Sequence, residues 1–342
     1  MPSIERESQR IVIAGASSLV GAELKTLLEE GQFSGWDLRL VDEEAAAGTL
    51  TEAGGEPVVI QPVDEGSFER ARFVFFTGSP QFVETNLAAA LAAGAVAIDF
   101  TGKVSTKDQP SSPWFPKLDE FWSTPIGPKV QPNGTHFWIP SAAAVAATSL
   151  SFGLRPVGLK RLSITFLRPV SEAGREGIEE LESQTGRLLS LQSVGKPVFD
   201  TQVAFNLLER YGPASRQNLA AVGKALREEI TACVSNQRAV LPALQVLHAP
   251  TFYGVMFSAC AELDPGVADK ESVSNACREA GFSVVRDEDC TPSNVSAAGE
   301  NTIQLGLPQS DPTVHGTWWF WGAADNVRLP AWNAVRLAEK LL

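Results

Sequence analysis

The stretch His136–Ser149, HFWIPSAAAVAATS, places one serine between a proline and a run of small side chains. A serine on a turn acts as a nucleophile only where a base takes up its proton. The alternative is a helix start at which the Ser141 hydroxyl accepts an N–H of the first turn. No base is evident for Ser141 in the sequence. The pattern therefore favours the helix cap.

The segment IAGASSLVG, residues 13–21, has the types and spacing of a phosphate-binding loop between a strand and a helix. Gly15 allows the tight turn and Gly21 allows close packing of the helix on the strand. The N–H groups of residues 17–20 are expected to hold a pyrophosphate at the helix N-terminus. Ser17 and Ser18 stand where the middle glycine of G-x-G-x-x-G is missing, and their hydroxyls either donate to the ligand or cap the helix. The predicted cofactor-binding residues are Gly15, Ser17, Ser18, Leu19, Val20, Gly21 and Asp42.

The second strand ends in VDEE, residues 41–44. An acid at this position accepts hydrogen bonds from the adenosine ribose hydroxyls and repels a 2′-phosphate. Asp42 or Glu43 therefore favours NAD over NADP as the cofactor. The alternative for both residues is an exposed acidic loop without a ligand.

The order of elements in the first half predicts the scaffold for these residues. Buried-strand patterns in IVIAG, WDLRLV, ARFVFFTG and AVAIDFTG alternate with helical patterns in SSLVGAELKTLLEEG and FVETNLAAALAAG. This alternation predicts an α/β fold in which a Rossmann-like parallel sheet has helices on both faces. Ser105–Asn133 is rich in Pro, Ser and Gly and is predicted to be a long loop.

The second half mixes helices with strands that are not arranged in βαβ order. Strand patterns occur in LKRLSITFLRPVS, ALQVLHAPTFYGVMFSACAEL and HGTWWFWGAADNVR. Helical patterns occur in Ala142–Leu154, REGIEELESQTGRLLSL and QNLAAVGKALREEITACV, and AWNAVRLAEKLL closes the chain. We expect an α+β domain with a largely non-parallel sheet.

Length and charge limit the classes of function. The 342 residues suggest two domains, and the net charge of −12 argues against nucleic acid or an anionic membrane as partners. No apolar segment is long enough for a transmembrane helix, and the polar N-terminus does not resemble a secretory signal. The cysteines fit no zinc template, so we expect no metal and a cytoplasmic location. They are Cys233, Cys260, Cys277 and Cys290.

These segments together resemble the aspartate-semialdehyde dehydrogenase family, and most closely its usg-type paralogues that lack the catalytic cysteine. GASSLVG is similar to the family's G-A-T-G-x-V-G, and VSEAGREGIEELESQT to V-S-G-A-G-x-x-A-x-x-E-L-x-x-Q-T. VAFNLL, APTFYG and the ending ADNVR followed by a helix also match in order. The resemblance covers nearly the whole chain.

The resemblance implies the domain organisation and the reaction. It implies a nicotinamide-binding domain over residues 1–138, completed by the C-terminal segment 326–342, and a dimerisation and catalytic-type domain over 139–325. A homodimer is expected. The family reaction converts an acyl phosphate to an aldehyde through a thioester on a cysteine, with a histidine as acid and base.

The residues that the resemblance assigns to this chemistry are replaced. Ala142 stands at the position of the nucleophilic cysteine, and His248 and Val255 stand at those of the carboxylate-binding arginine and the histidine. Arg168 replaces the glutamine before V-S-G-A-G. Three further active-site positions align only loosely, near Ser105, Leu219 and Val222. We therefore predict no catalytic residues and a nucleotide-binding or regulatory homologue that has lost the family reaction.

The alternative is an active NAD(P)-dependent semialdehyde dehydrogenase of amino-acid biosynthesis with altered chemistry. In that case the altered chemistry would involve Arg168 and His248, with His248 carrying a proton. Otherwise His248 is a hydrogen-bonded strand residue. In either case Arg168 is expected to hold a small anionic ligand or to pair with Glu172. The aromatic residues Trp318–Trp321 are predicted to pack in the core and at an interface.

Overall fold

The computed structural model describes residues 9–53, 55–102, 111–122, 135–234, 239–286 and 291–342. They form two compact units, Met1–Ile139 with Pro330–Leu342, and Pro140–Leu329. In chain order, the elements before residue 140 are β1 (Arg10–Ala14), α1 (Leu19–Glu30), β2 (Asp37–Asp42), β3 (Leu50–Ala53), β4 (Glu56–Val59), β5 (Gln61–Pro62), β6 (Ala71–Phe76), α2 (Pro80–Ala92), β7 (Val96–Asp99), β8 (Ser111–Pro113), α3 (Leu118–Phe121) and β9 (His136–Trp138).

The later elements are fewer and longer. They are α4 (Ala142–Gly153), β10 (Arg161–Arg168), a 3-10 turn (Val170–Ala173), α5 (Arg175–Leu189), α6 (Leu219–Val234), β11 (Ala243–His248), β12 (Val255–Glu262), α7 (Lys270–Glu279), β13 (Phe282–Val284), β14 (Ile303–Leu305), β15 (Gln309–Ser310), β16 (Thr317–Ala324) and α8 (Arg328–Lys340). Among the described residues, no helix is long and apolar enough to cross a membrane.

The first unit is built on a sheet with the order β5-β2-β1-β6-β7-β9-β8 and parallel pairings throughout. Ile11 and Ile13 of β1 belong to a buried cluster that includes residues of α1 and α8. Val12 and Ala14 belong to a second buried cluster, which includes residues of α2. Because successive side chains of a strand point to opposite faces, both faces of the sheet are covered by helices. The predicted Rossmann-like architecture is confirmed.

The long loop predicted for Ser105–Asn133 is wrong in its central part. Residues 103–110 and 123–134 lie outside the described residues, but 111–122 contain β8 and α3. β8 adds to the sheet edge beside β9, where its Pro113 is tolerated because an edge strand needs fewer N–H donors. Trp114 and Phe115 follow and are buried. The burial of these two aromatic side chains orders a segment whose local composition is typical of loops.

The second unit contains a mixed sheet with the order β11-β10-β12-β16-β14-β13, as expected for an α+β domain. β10 pairs in parallel with β11, whereas β12 lies antiparallel to both β10 and β16. Along β12 buried and half-buried residues alternate strictly, with Phe257 and Ala259 buried and Ser258 and Cys260 half-buried. One face of this sheet is therefore core, with α4 and α6 in contact with the sheet.

Candidate functional site

The loop after β1 has the shape of a phosphate-binding turn. Gly15 has a φ of 99°, and a Cβ at this position would lie 2.3 Å from the backbone nitrogen of Gly78. A Cβ on Gly21 would lie 2.7 Å from the carbonyl oxygen of Gly15. Both positions therefore require glycine, because another backbone segment lies too close for a side chain. Gly15 packs against the loop at Gly78, and Gly21 packs against the loop at Gly15.

The N–H groups of this loop are partly engaged within the protein. Those of Gly15 and Ala16 donate to the Val41 carbonyl oxygen, at 2.9 and 3.2 Å. The N–H of Ser17 donates to Oδ2 of Asp42 at 2.8 Å. An α-helix supplies no carbonyl for the N–H groups of its first turn, which here belong to residues 19–21. The potential phosphate donors of the loop are therefore concentrated at the tip of α1.

Ser18 is the N-cap of α1. Its Oγ accepts the N–H of Gly21 at 2.9 Å, so the N–H groups of Leu19 and Val20 remain directed out of the first turn. Of the two roles predicted for the serine hydroxyls, capping is the one that Ser18 performs. Ser17 is half-buried in the turn before it. The contacts of these residues with a cofactor stay a prediction.

The two acids at the end of β2 differ in their surroundings. Asp42 is buried, and its carboxylate accepts the N–H groups of Ser17 and Glu43, both at 2.8 Å. Glu43 is exposed and accepts the hydroxyl of Ser79, the N-cap of α2, at 2.8 Å. Asp42 thus connects the loop to the end of β2, and Glu43 is the acid that is open to solvent. The predicted ribose contact of Asp42 is not tested by this geometry.

The start of α4 holds a methyl group where the family resemblance places a thiol. Ser141 caps the helix, its Oγ accepting the N–H of Ala144 at 3.3 Å. Ala142 is 1% exposed. The N–H of Ser141 donates to Oε2 of Glu229 on α6 at 2.9 Å. A carboxylate of the chain itself therefore lies beside the helix start, a position at which a helix favours negative charge.

The described cysteines do not replace the missing thiol. Cys233 of α6 is buried and interacts with Thr148, which lies in the middle of α4 rather than at its start. Burial raises the pKa of Cys233 well above the ordinary value of a thiol, and it raises the pKa of Cys277 to about 12. The thiolate forms needed for attack are therefore disfavoured. Cys260 is half-buried on β12, and Cys290 lies outside the described residues.

Arg168, at the end of β10, is buried, and its guanidinium makes four hydrogen bonds. Its Nε donates to Oε2 of Glu172 at 2.7 Å and its Nη2 to the carbonyl oxygen of Glu172 at 2.9 Å. The remaining bonds go to the Tyr211 hydroxyl and to Oε1 of Gln217, at 3.4 and 3.3 Å. Burial is the largest single effect and lowers the pKa of this guanidinium, but Glu172 and Tyr211 together outweigh burial and raise the pKa. Of the two predicted alternatives, the geometry has Arg168 paired with Glu172.

His248 is a fully buried, hydrogen-bonded strand residue. Its Nδ1 lies 3.3 Å from the Tyr211 hydroxyl and its Nε2 lies 3.2 Å from the Val203 carbonyl oxygen. Burial, the main cause, lowers the pKa of His248 to about 4. The ring is therefore neutral near pH 7 and satisfied on both nitrogens. Val255, at the position of the family histidine, is 1% exposed and carries no proton.

Three residues of this site were missed by the sequence reasoning: Glu229, Tyr211 and Gln217. Each contacts a predicted position from a distant part of the chain, with 88 residues separating Ser141 from Glu229. No local spacing indicates such partners. Of the loosely aligned positions, Leu219 is buried at the start of α6, Val222 lies on the same helix, and Ser105 is outside the described residues.

The aromatic run on β16 divides between the two faces of the second sheet. Trp318 and Phe320 are buried, as predicted for core residues. Trp319 is 45% exposed on the other face and its Nε1 donates to Asp311. Trp321, next on that face, is half-buried, and its Nε1 donates to the carbonyl oxygen of Pro292. The predicted interface role of Trp319 and Trp321 stays a prediction.

The two sheets and the glycine loop after β1 together define the class of this protein. It is an α/β protein with a Rossmann-like unit and a second unit built on a mixed sheet. Family models match both units. One described as semialdehyde dehydrogenase, NAD binding domain, matches residues 10–139, and one described as semialdehyde dehydrogenase, dimerisation domain, matches residues 153–329. The chain belongs to the semialdehyde dehydrogenase family, as the resemblance predicted.

Individual relatives agree with this assignment. The chain is 30% identical to a USG-1 protein homolog of Azotobacter vinelandii and 25% identical to aspartate-semialdehyde dehydrogenase 2 of Vibrio cholerae, with 97% of each chain covered in both comparisons. A solved structure of a probable aspartate-semialdehyde dehydrogenase from Pseudomonas aeruginosa superposes with a TM-score of 0.85 at 26% identity, covering 98% of both chains. The family models thus show that this chain has an NAD(P)-binding domain. The match to a dimerisation domain supports a homodimer.

Proposed function

We propose that this chain is a non-catalytic member of the semialdehyde dehydrogenase family that binds a nicotinamide nucleotide and works as a homodimer in the cytoplasm. The observation that carries the proposal is the buried methyl group of Ala142 at the start of α4. A methyl group cannot attack an acyl phosphate. Loss of a covalent nucleophile costs about 10⁴- to 10⁶-fold in rate.

The surroundings of Ala142 support the same conclusion. Glu229 brings a carboxylate to the N–H of Ser141, which would oppose formation of a thiolate nearby. His248 has both ring nitrogens in hydrogen-bonding contacts and a pKa of about 4, so it is a poor proton carrier near pH 7. The nucleophile, the acid and base, and the carboxylate-binding residue are therefore absent together.

The loop after β1 fits a dinucleotide. Gly15 allows the close backbone approach, and the N–H groups of Leu19 and Val20 at the tip of α1 would hold the pyrophosphate. Glu43 is the exposed acid after β2 and would accept the ribose hydroxyls while repelling a 2′-phosphate. NAD is therefore the expected nucleotide and NADP the weaker ligand. When bound, the nicotinamide would supply hydride chemistry, for which this chain lacks the covalent partner.

Calorimetry with NAD, NADH, NADP and NADPH tests nucleotide binding. We expect NAD or NADH to bind at least about 10-fold more tightly than the phosphorylated forms, a difference of about 1.4 kcal/mol. A Ser17→Glu variant should lose binding because its carboxylate would face the pyrophosphate, whereas Glu30→Gln, at the far end of α1, should bind normally. If none of the four nucleotides binds, nucleotide binding is contradicted and the protein is a structural scaffold without a cofactor.

The loss of catalysis is tested separately, by phosphate-dependent reduction of NAD or NADP with aspartate semialdehyde. The native chain should show no turnover beside an active aspartate-semialdehyde dehydrogenase as positive control. Ala142→Cys should also be inactive, because Val255 cannot replace the histidine. Turnover by the native chain would contradict the proposal, and turnover by Ala142→Cys would show that the assignment of the acid and base positions is wrong.

A further inference from the structure

Two departures from the family motifs lie four residues apart and contact each other. Arg168 replaces a glutamine, and Glu172 replaces the glycine of V-S-G-A-G. In the structure their charged groups meet at 2.7 Å, between Nε of the guanidinium and Oε2 of the carboxylate. A buried cation and its counter-charge therefore stand together where the family motif has two uncharged residues.

The pair is asymmetric in its access to solvent. The Arg168 side chain is 5% exposed, whereas the Glu172 side chain is 27% exposed. The Tyr211 hydroxyl and Gln217 also accept hydrogen bonds from the guanidinium, and Glu172 is the more solvent-exposed member of the pair. A buried arginine held in this way, with its outer edge directed at one carboxylate oxygen, has the geometry of a carboxylate-recognition site.

We propose that Arg168 forms a carboxylate-binding site whose ligand is built into the chain, with the Glu172 side chain in the place of a free small carboxylate. Nothing in this proposal depends on nucleotide binding, and it goes beyond the proposed function. The native protein binds no free carboxylate at Arg168 because Glu172 is tethered and always present. A short monocarboxylate such as acetate binds there once the Glu172 side chain is removed.

The start of α4 shows the same relation between a polar donor and a carboxylate of the chain. There Glu229 accepts the N–H of Ser141, next to the position at which the family reaction needs an anionic nucleophile. Two carboxylates of this unit thus satisfy donors around the positions that the family uses for catalysis.

Chemical rescue of a Glu172→Ala variant tests the proposal. Removing one member of a buried ion pair is strongly destabilising, so the melting temperature should fall by about 10 °C. Sodium acetate should restore about half of this loss in a saturable manner, whereas sodium chloride at equal ionic strength should not. The native protein should respond equally to both salts. Equal melting curves of Glu172→Ala in acetate and chloride would overturn the proposal.

Two controls separate binding at Arg168 from general salt effects. The double variant Arg168→Gln with Glu172→Ala lacks the guanidinium and should show no acetate rescue. Glu176→Ala removes the partner of Arg216, an ion pair of 2.7 Å in which both side chains are about two-thirds exposed. This variant should neither lose stability nor respond to acetate, because exposed ion pairs contribute little. Rescue of either control would also contradict the proposal.

If Glu172→Ala does not fold in chloride, the same question is answered by Glu172→Gln, which retains the shape of the side chain. Its amide should occupy the guanidinium edge without charge and exclude acetate, so that no acetate-specific stabilisation appears. Refolding of Glu172→Ala in acetate but not in chloride supports the site, and refolding in neither salt or in both overturns it.

Discussion

At the scale of single residues, the buried polar side chains around Tyr211 in the second unit bond to one another. Tyr211 lies between Arg168 and His248 and contacts both. Burial is the main cause that raises the pKa of the Tyr211 phenol. Such a network is stable only while each member has its partner, because the low dielectric of the interior penalises any unpaired group. Protonation of His248 would place a second cation near Arg168.

The stability of the protein should therefore depend on pH through His248. Its pKa is 6.5 in an unfolded chain and about 4 in the folded protein. Between these values the unfolded chain binds a proton that the folded protein does not, so stability is lost as the pH falls. We expect this residue to account for about 2 kcal/mol of the loss between about pH 7 and about pH 4.5. Urea unfolding at both pH values measures the change.

The contribution of His248 is isolated by a variant. His248→Gln keeps a donor for the Val203 carbonyl oxygen but has no titrating group, so its loss of stability on acidification should be smaller than that of the native chain. His315, which is exposed, provides the matched control, and His315→Gln should retain the full pH dependence. The idea fails if the two variants lose the same free energy of unfolding between the two pH values.

The capping role of Ser141 was predictable because an N-cap bonds only to its own first turn. The position of Ala142 followed from its place in the family motif. The contacts of Glu229 and Tyr211 were not predictable, because helix packing and loop folding bring them from distant positions. Arg168 and Glu172 carry opposite charges four residues apart, which suggested that the two side chains pair. The burial of Arg168 was not predictable, because it depends on the surrounding fold.

At the scale of elements, α5 organises a segment that has no helix or strand of its own. Gln184 is fully buried, and its Oε1 accepts the N–H groups of Val203 and Ala204 at 2.8 and 3.2 Å. Its Nε2 donates to the carbonyl oxygens of Gly195 and Thr201 at 3.0 and 3.1 Å. The same Nε2 also lies 2.9 Å from Oε1 of Glu180, so its two hydrogens are shared among three acceptors. This segment in turn supplies the carbonyl that holds His248.

Replacing Gln184 by alanine should loosen this segment more than the rest of the unit. The buried N–H groups of Val203 and Ala204 would lose their partner, and the cost is about 3 kcal/mol, since a buried unsatisfied group costs about 1–3 kcal/mol. Hydrogen exchange at the amides of Val203 and Ala204 should accelerate about 100-fold. Glu182→Ala, on the exposed face of the same helix, should leave both rates unchanged. Equal protection in the two variants would show that Gln184 does not hold the segment.

Element type was largely predictable from periodicity, and element pairing was only partly so. The four strands of the βαβ pattern and the long helices follow from local repeats of apolar residues. β8 and the short pair β3 and β4 have no such repeat. They form because tertiary pairing supplies the hydrogen bonds that their own sequences do not indicate.

At the scale of the whole molecule, the outer face of the second sheet is the surface that we expect to meet a second copy. It presents Trp319, Trp321 and Met256, and a cavity of about 600 Å³ lies among residues that include Lys270 and Ser258. A partly exposed tryptophan on a sheet whose other face is core is typical of a surface that is covered in an assembly. The dimerisation domain matched over residues 153–329 indicates that the partner is a second copy.

Light scattering should therefore give twice the chain mass of 36.6 kDa. Trp319→Arg should shift the equilibrium towards the monomer, because it places a charge in an apolar contact while leaving Asp311 a partner for its carboxylate. Leu191→Arg adds the same charge at an exposed position after α5 and should remain dimeric. If the Trp319→Arg variant stays dimeric and the Leu191→Arg variant dissociates, the interface lies around α5 and not on the sheet. If the native chain is a monomer, the predicted interface does not exist. Since association stabilises only the folded chain, the melting temperature of the native protein should also rise with protein concentration, and that of Trp319→Arg should not.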